Sequence, residues 1–325
     1  MPKEPQHNVN NTDIKVSIVI PTFQGGHLFK QCLDSIFTQK TDFKFEVIVI
    51  DSGSTDDTIK NINIYPVMLY QIKKTEFNHG LTRNKGVSVA KGQFIVMMTQ
   101  DAIPANDNWL CSIIQQFYDD PLIAGIYAQQ IPREDADVLT KRSLNSWLTA
   151  RSESDTRQID DLSVYNSMPP MDKYMLCYFD DVCSCMRRTV WQEIPYQNAK
   201  FAEDIEWGKS VMLAGYKIAY EPNAAVIHSH DRSVFYEYKR TYMGHRRLNE
   251  LFGLRTVPTF RHVIRFTINN LLYDIPYVIK EEKSVTHKIM LVMKSIPLSF
   301  LSVYAQYRGA KDQIELKKNK SFDGV

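Results

Sequence analysis

Short apolar runs separated by helical stretches fill the chain from Lys15 onward, and that alternation leaves parallel strands joined by crossover helices as the expected fold. "VSIVI" (16–20) precedes apolar positions Phe29, Cys32, Leu33, Ile36 and Phe37, whose three- and four-residue spacings mark one helix face. "FEVIVI" (45–50) is apolar almost throughout, as a strand covered on both sides should be. "VMLYQI" (67–72), "QFIVMM" (93–98) and "IAGIYA" (123–128) read as further strands, and "GLTRNKGVSVAKG" as a helix closed by Gly92. In "DSGSTDDT", Ser54 and Asp57 have capping-box spacing for the helix that follows.

Residues 133–180 are polar and mixed, and their "NSMPPMDKYM" reads as an irregular loop. "VCSCMR" (182–187) resumes strand character, "AEDIEWGKSVMLAG" (202–215) is a helix ending in glycine, and "YKIAYE" and "AAVIH" are strands. From Ser233 the pattern is helical and basic to the end, a bundle with a break near Pro258. The expected organisation is a polar tail at 1–14, a catalytic α/β domain at 15–232 and a basic helical region at 233–325. Charge divides at the same place: residues 233–325 hold sixteen Lys/Arg against eight Asp/Glu, a net +8, while the rest carries −6 beneath a formal total of +2. Such an end suits an anionic partner, or is simply a solvated helical face. The stretch "IMLVMKSIPLSFLSVYA" (289–305) is interrupted by Lys294 and Pro297, so it fits a helix lying on a bilayer, or a buried one, better than a spanning one. Five scattered cysteines without CxxC spacing read as reduced thiols of a cytoplasmic protein, and "MPKEPQHNVNNTD" lacks the apolar core of a signal peptide.

In an open α/β sheet, ligands bind beyond the carboxyl ends of the strands. Three polar clusters occupy such ends: "PTFQGG", "DSGSTDD" and "TQDAIP". No G-x-G-x-x-G follows the first strand and no G-x-x-x-x-G-K-[ST] occurs, which argues against dinucleotide cofactors and P-loop hydrolysis. A floor of Asp51 and Asp101 repels phosphate unless a cation stands between them, so a divalent ion is implied.

Taken in order, "SIVIPTFQGG", "EVIVIDSGSTDDT", "FNHGLTRNKGVSVAKGQFIVMMTQDAIP", "FAEDIEWGKSVMLAGYKIAYEP" and "VIHSH" resemble glycosyltransferase family 2, the inverting enzymes of the GT-A fold. "HGLTRN", "TQDAIP" and "HSH" most resemble bacterial rhamnosyltransferases of O-antigen and capsule assembly, and the likeness runs from about Lys15 to Arg247. It implies a GT-A-like open, mostly parallel sheet flanked by helices, with the basic helical region appended. It also implies that Pro21, Thr22 and Phe23 shape a nucleoside pocket in which Asp51 takes the imide N–H of a pyrimidine, with Ser52 and Ser54 nearby. His79, Arg83 and Asn84 would meet the diphosphate at a helix mouth, and Gln100 and Asp101 complete the donor side.

The family's strand exit usually carries an Asp-x-Asp triplet. Here Thr99 stands in the first place, leaving Asp101 as metal ligand and His228 as the second, a pair that leans toward Mn²⁺ without excluding Mg²⁺. His230 is expected to point to the other face of the strand. The resemblance assigns the base to Asp204, with Glu203 beside it binding acceptor hydroxyls or raising its pKa. Trp207 would stack on a sugar ring or belong to the core, Asp181 would touch the acceptor, and Arg187 or Arg188 the diphosphate. Cys183 and Cys185, alternating on one strand face, are packing groups.

The implied activity is metal-dependent transfer of a sugar, L-rhamnose from dTDP-rhamnose or a sugar from a UDP donor, onto a hydroxyl of a growing cell-surface glycan. The acceptor would be built on polyprenyl diphosphate, and the basic end would hold the enzyme to anionic membrane at the cytoplasmic face. No nucleic acid is expected as a partner, and a homo-oligomer is left open. The alternative from another class is a noncatalytic nucleotide-sugar-binding subunit whose shortened acidic triplet has lost the metal. A sugar-phosphate nucleotidyltransferase wants a glycine-rich, basic signature that "PTFQGG" does not provide.

Overall fold

A computed structural model describes residues 14–231 and 233–322, with side chains to Lys317; apart from Ile14, the expected polar tail lies outside the described residues. Nine strands form one sheet: β1 (Ile14–Thr22), β2 (Lys44–Asp51), β3 (Val67–Gln71), β4 (Phe94–Met98), β5 (Ile103–Pro104), β6 (Ile123–Ile131), β7 (Asp155–Arg157), β8 (Cys183–Arg187) and β9 (Lys217–Ile227). Their order is β3-β2-β1-β4-β8-β6-β9-β5, with β7 also on β9. The pairs β1–β2, β1–β4, β2–β3 and β6–β9 are parallel, whereas β8 runs against both β4 and β6. β5 and β7 run against β9. Six strands therefore point one way and three the other. The carboxyl ends of β1, β2, β4, β6 and β9 and the amino end of β8 open on a single rim.

Both faces of the sheet are covered. In β1, Val16, Ile18 and Ile20 turn to the side holding helices Gly26–Phe37 and Trp109–Asp119, while Val19 turns to the side of helices His79–Val89 and Glu203–Leu213. This two-residue alternation within a run apolar but for Ser17 is the register in which a strand buries both of its faces. Cys183 and Cys185 both enter the first of these layers as buried free thiols.

Four local expectations are corrected. "NSMPPMDKYM" is helical on both sides of Met168–Pro169, in Leu162–Ser167 and Pro170–Cys177. Pro170 opens the second helix, where a missing N–H is not felt, and Tyr174 and Cys177 bury its inner face. The helix after β2 is Thr58–Ile62, and Ser54 and Asp57 form no capping box: the Ser54 hydroxyl accepts from the Gln24 amide at 2.8 Å, and Asp57 makes no side-chain cap. The helix read as closing at Gly92 ends at Val89, and Gly92 is required by close approach instead, since a Cβ there would lie 2.5 Å from the Ser17 nitrogen. "YKIAYE" and "AAVIH" are one strand, β9, with a register shift against β6 between Ala128 and Gln130.

The basic region is three helices, Val234–Phe252, Phe260–Glu281 and Val285–Phe322. The first ends at Gly253, whose φ of 71° is open to glycine, and Pro258 lies in the link to the second. Leu248 and Phe252 join the same apolar layer as Trp207, and Arg247 meets Glu206 at 2.5 Å. The first of the three helices is thus packed on the helix that carries Glu203 and Asp204.

Candidate active site

Strands β1 and β2 end in register, Thr22 beside Asp51 and Pro21 beside Ile50. The Gln100 amide fixes the chain beyond them: its Oε1 accepts from the Thr22 hydroxyl at 2.6 Å and the Phe23 amide at 2.8 Å, and its Nε2 donates to the Phe23 carbonyl at 3.1 Å. Gln100, expected on the donor, is consumed in holding the pocket wall. Gln24, at φ 50°, joins this wall to the next loop by accepting from the Thr55 and Asp56 amides. Asp51 is fully buried. Its Oδ2 accepts from the Gly53 and Ser54 amides, both at 3.0 Å, while Oδ1 has no partner, and neither have the buried hydroxyls of Ser52 and Thr99. A buried acceptor left unmatched costs about 1–3 kcal/mol, so this cluster suits a ligand that brings its own donors. Ser54, held through its amide and hydroxyl, serves the loop itself.

The next group along the rim is Asp101, His228 and His230, whose ligand atoms all lie within 4.8 Å of one another. His228 Nε2 is 3.7 Å from Asp101 Oδ1, and His230 Nε2 is 3.1 Å from Asp101 Oδ2 and 3.1 Å from His228 Nε2. The tautomer of His228 follows from its neighbours. Gln130 gives its Nε2 to Asp180 Oδ1 at 3.0 Å, so its Oε1, 3.1 Å from His228 Nδ1, requires a proton there and leaves the Nε2 lone pair facing the group. The expected outward direction of His230 is wrong: residues two apart in extended chain share a side, and both His228 and His230 present Nε2 to Asp101. One carboxylate and two imidazoles fit a divalent transition ion better than Mg²⁺, which prefers oxygen. Arg133, which the sequence reading passed over, stitches the two ligand loops together: it donates to the carbonyls of Asp101 (2.6 Å) and Ser229, and stands 3.9 Å from the Asp101 carboxylate.

The third group is acidic around one arginine. Arg83, 4% exposed, places NH1 2.5 Å from Glu203 Oε1 and Nε 3.7 Å from Asp181 Oδ2. Burial opposes its charge, but Asp181 and Glu203 more than restore it. Asp181, 2% exposed, also accepts from Ser184 and Tyr196 hydroxyls, each at 2.6 Å. Burial raises its pKa in spite of Arg83. Asp204 is half-buried; Oδ1 accepts from the Ile205 amide at 2.8 Å and Oδ2 from the Asp181 amide at 3.4 Å. Burial, then Glu203, Asp181 and Asp180, hold its carboxyl well above the usual range. Its helix starts from Ala202 in the left-handed region, φ 54°, strain of roughly 1–2 kcal/mol for a residue with a Cβ. His79 is partly exposed with its ring edge-on to Phe77, and desolvation holds its pKa below the ordinary value although Glu203 raises it, with Arg83 adding to the fall.

The groups are joined. Asp180 binds Gln130, which binds His228, and the Asp181 amide binds Asp204. Asp101, His228 and Asp204 therefore stand on one rim. A separate polar cavity beside Asp120, Arg157 and Lys217 lies at the amino ends of β6 and β9, the opposite end of the sheet.

Several expected site residues stand elsewhere. The Arg83 guanidinium is spent on carboxylates, and Asp181 on Arg83, Ser184 and Tyr196, so neither is offered to diphosphate or acceptor. Asn84 is held by Tyr196 and Trp191: Nδ2 donates to the Tyr196 carbonyl and Oδ1 accepts from the Tyr196 amide and the Trp191 indole. Trp207 is 2% exposed, donates to the Ile194 carbonyl at 2.8 Å and packs on Phe179, which makes it core. Arg187 caps the carbonyls of Phe117, Asp120 and Ile123 at the far end of β8, because that strand runs against its neighbours, and Arg188 donates to the Ala90 carbonyl. Gln130, Asp180 and Arg133 were not identified from sequence: "QQIP" and "IPRED" carry no signature, and it is the pairing of β6 with β9 and with β8 that brings Gln130 and Arg133 to His228 and Ser229, and Asp180, just ahead of β8, to Gln130.

Comparison with known proteins gives a concordant picture. The profile of glycosyl transferase family 2 matches residues 17–181. The chain is 30% identical over 331 residues to the O-antigen chain rhamnosyltransferase RfbN of Salmonella typhimurium, covering 94% of this chain and 99% of that one. It is 29% identical to the O-antigen chain rhamnosyltransferase WbaN of Salmonella anatum, covering 94% and 98%. Among solved structures, a mannosyltransferase of Pyrobaculum calidifontis in complex with GDP-Man and Mn²⁺ superposes with a TM-score of 0.53 at 14% identity, covering 95% of this chain and 76% of that one. Glucosyl-3-phosphoglycerate synthase of Mycobacterium tuberculosis gives 0.52 at 16%, covering 74% and 81%. These two likenesses carry the fold alone.

Proposed function

The chain belongs to glycosyl transferase family 2 and is a glycosyltransferase, and on that premise we propose that it transfers L-rhamnose from dTDP-rhamnose, with inversion, to a hydroxyl of a growing cell-surface glycan. The observation that carries this reading is the convergence on one rim of an unpaired buried acceptor (Asp51 Oδ1), a three-ligand group (Asp101, His228, His230) and a carboxyl of raised pKa (Asp204).

Each has a place in the reaction. Asp51 Oδ1 accepts the pyrimidine imide N–H against the wall made by Pro21, Thr22 and Phe23, with Ser52 and Thr99 hydroxyls at hand for the ribose. His79, at a helix N-terminus, lies toward the diphosphate. A divalent cation, Mn²⁺ or Mg²⁺, held by Asp101, His228 and His230 would supply the positive charge that the departing diphosphate needs. Asp204 takes the acceptor hydroxyl's proton while that oxygen bonds to C1 from the face opposite the diphosphate, and the C1–O bond breaks with its electron pair going to the nucleotide. A raised pKa makes Asp204 a stronger base than an ordinary carboxylate. Burial and then the like charge of Glu203 hold that pKa up, while Arg83, whose charge Asp204 helps to maintain, works the other way. Turning from the site to its setting, the acceptor is borne on polyprenyl diphosphate at the cytoplasmic face of the membrane, where the basic helices meet anionic lipid.

The test is a thermal-shift panel of dTDP, UDP and GDP sugars with Mn²⁺, followed by a transfer assay with the nucleotide sugar that stabilises most. Stabilisation by dTDP-rhamnose and turnover lost in Asp204→Asn are expected. Stabilisation by purine nucleotides alone would overturn the role of Asp51, and preference for a UDP sugar would replace the donor.

A further inference from the structure

Helix Val285–Lys317 has the apolarity of a membrane span, with a mean hydropathy of 1.4 over eighteen residues, yet only 28% of that window is buried. Its inner face is committed to protein. Leu291 packs with Leu139 and Val278, Ser295 and Ser299 are buried, and Lys294 reaches Asp137 at 2.7 Å. Its outer face carries Ile289, Met293 and Ile296, the first two 62% and 64% exposed. The neighbouring helix Phe260–Glu281 repeats the arrangement. Val263, Thr267 and Val278 face inward, while Ile264, Ile268 and Leu272, four residues apart, face out, the last 66% exposed. A polar solvent face is what a surface helix ordinarily shows, and here two adjacent helices present aliphatic stripes instead.

We propose that these outer faces form an in-plane docking surface for an anionic bilayer. Charge selects this occupant. Arg261 and Arg265 lie exposed beside the stripe of the second helix, and Lys280 and Lys283 are exposed where the two helices meet, with Glu281 exposed and Glu282 half-buried among them. Aliphatic side chains flanked mostly by cations match acyl chains beneath acidic headgroups. Lys294 and Asp137, with Arg142 and Asp274, tie the inner faces to the segment 133–145, so the helices lie on the surface and do not cross it. That segment begins at Arg133, which clamps the ligand loops. Docking therefore sets the rim beside the bilayer. The inference deepens the proposed use of a lipid-borne acceptor and rests on that reading for its purpose.

The experiment is flotation of the full chain with vesicles of phosphatidylcholine alone or mixed with phosphatidylglycerol, which requires no turnover. The protein should float with the mixed vesicles at low salt and be released at high salt. Ile268→Glu/Leu272→Glu and, independently, Ile289→Glu/Met293→Glu should each lower the bound fraction about tenfold at unchanged melting temperature, since all four side chains are exposed. Arg261→Glu/Arg265→Glu should lose the preference for phosphatidylglycerol. The proposal is overturned if the native protein does not float, or if both Glu pairs float as it does. It is also overturned if the protein is a dimer that the Glu pairs split without any vesicle binding, which would give the face to a second copy. Turnover on a water-soluble acceptor, followed in parallel, should survive in the Glu pairs; its absence in the native protein would sink the transferase reading and leave the flotation result standing.

Discussion

Replacing Arg83 by Met removes the one cation between Glu203 and Asp181, at 2.5 and 3.7 Å, in a place where all three side chains are under a tenth exposed. At 3.7 Å and an effective dielectric near 20, the lost attraction to Asp181 alone is about 4 kcal/mol before desolvation is counted. Removing one partner of a buried pair costs about 3–5 kcal/mol overall. For 325 residues the unfolding entropy is roughly 0.7 kcal/mol per degree, so the melting temperature should fall by about 4–7 °C at neutral pH. The sign with pH is fixed. Burial already raises the Asp181 pKa, and without Arg83 it rises further in the folded state, so ionising Asp181 opposes folding; the deficit is small at low pH and grows as pH rises. Adding Glu203→Gln should recover a good part of the loss by removing one stranded charge. Arg83→Met by itself should also push Asp204 further up, moving the acid limb of the kcat/KM profile to higher pH. Melting curves by differential scanning fluorimetry across pH decide it: a shift of about 1 °C or less, or a deficit that does not vary with pH, would refute the account of Arg83 as the cation that compensates the acidic cluster.

Other consequences are direct. Asp204→Asn should lower kcat by about 10²- to 10⁴-fold in a transfer assay. Because the folded pKa of Asp204 is raised, its ionisation works against the fold above the ordinary carboxylate range; the Asn variant should melt no lower than the native protein at neutral pH and show no gain at acid pH. Glu203→Gln removes the largest charge that raises Asp204 and should shift the acid limb of kcat/KM to lower pH. His230→Ala should weaken Mn²⁺ binding, read by thermal shift or calorimetry without donor, by roughly 10-fold or more, whereas a residue pointing away from the site would leave it unchanged. Gly92→Ala, whose Cβ would meet the Ser17 nitrogen at 2.5 Å, should destabilise by about 1–3 kcal/mol in denaturant titration with no change in KM.

Much of this protein is written locally. The apolar runs at 16–20, 45–50, 93–98 and 123–128 are strands because no other element buries such runs on both sides, and the motifs at their ends lie on the rim because ligands meet parallel sheets there. The place of Asp51 and Asp101 at that rim was legible for that reason, as was that of Asp204 in the first turn of its helix. The expectations that failed concern direction and partners. "TQDA" and "HGLTRN" name Gln100, Arg83 and Asn84, but nothing in those strings says that the amides brace chain brought in from elsewhere or that the guanidinium meets Glu203, 120 positions away.

Sequence periodicity decides which side of an element is apolar, because that depends on a repeat of two or of 3.6 residues. It cannot decide what stands opposite a polar tip. The antiparallel insertion of β8 sends Arg187 to the far end and Asp181 into the rim, and the fold brings the exit of β4 beside that of β9, so that His228 and His230 both meet Asp101. Those outcomes follow from strand order and from competition among buried charges for a few partners, which exist only once the chain has closed on itself.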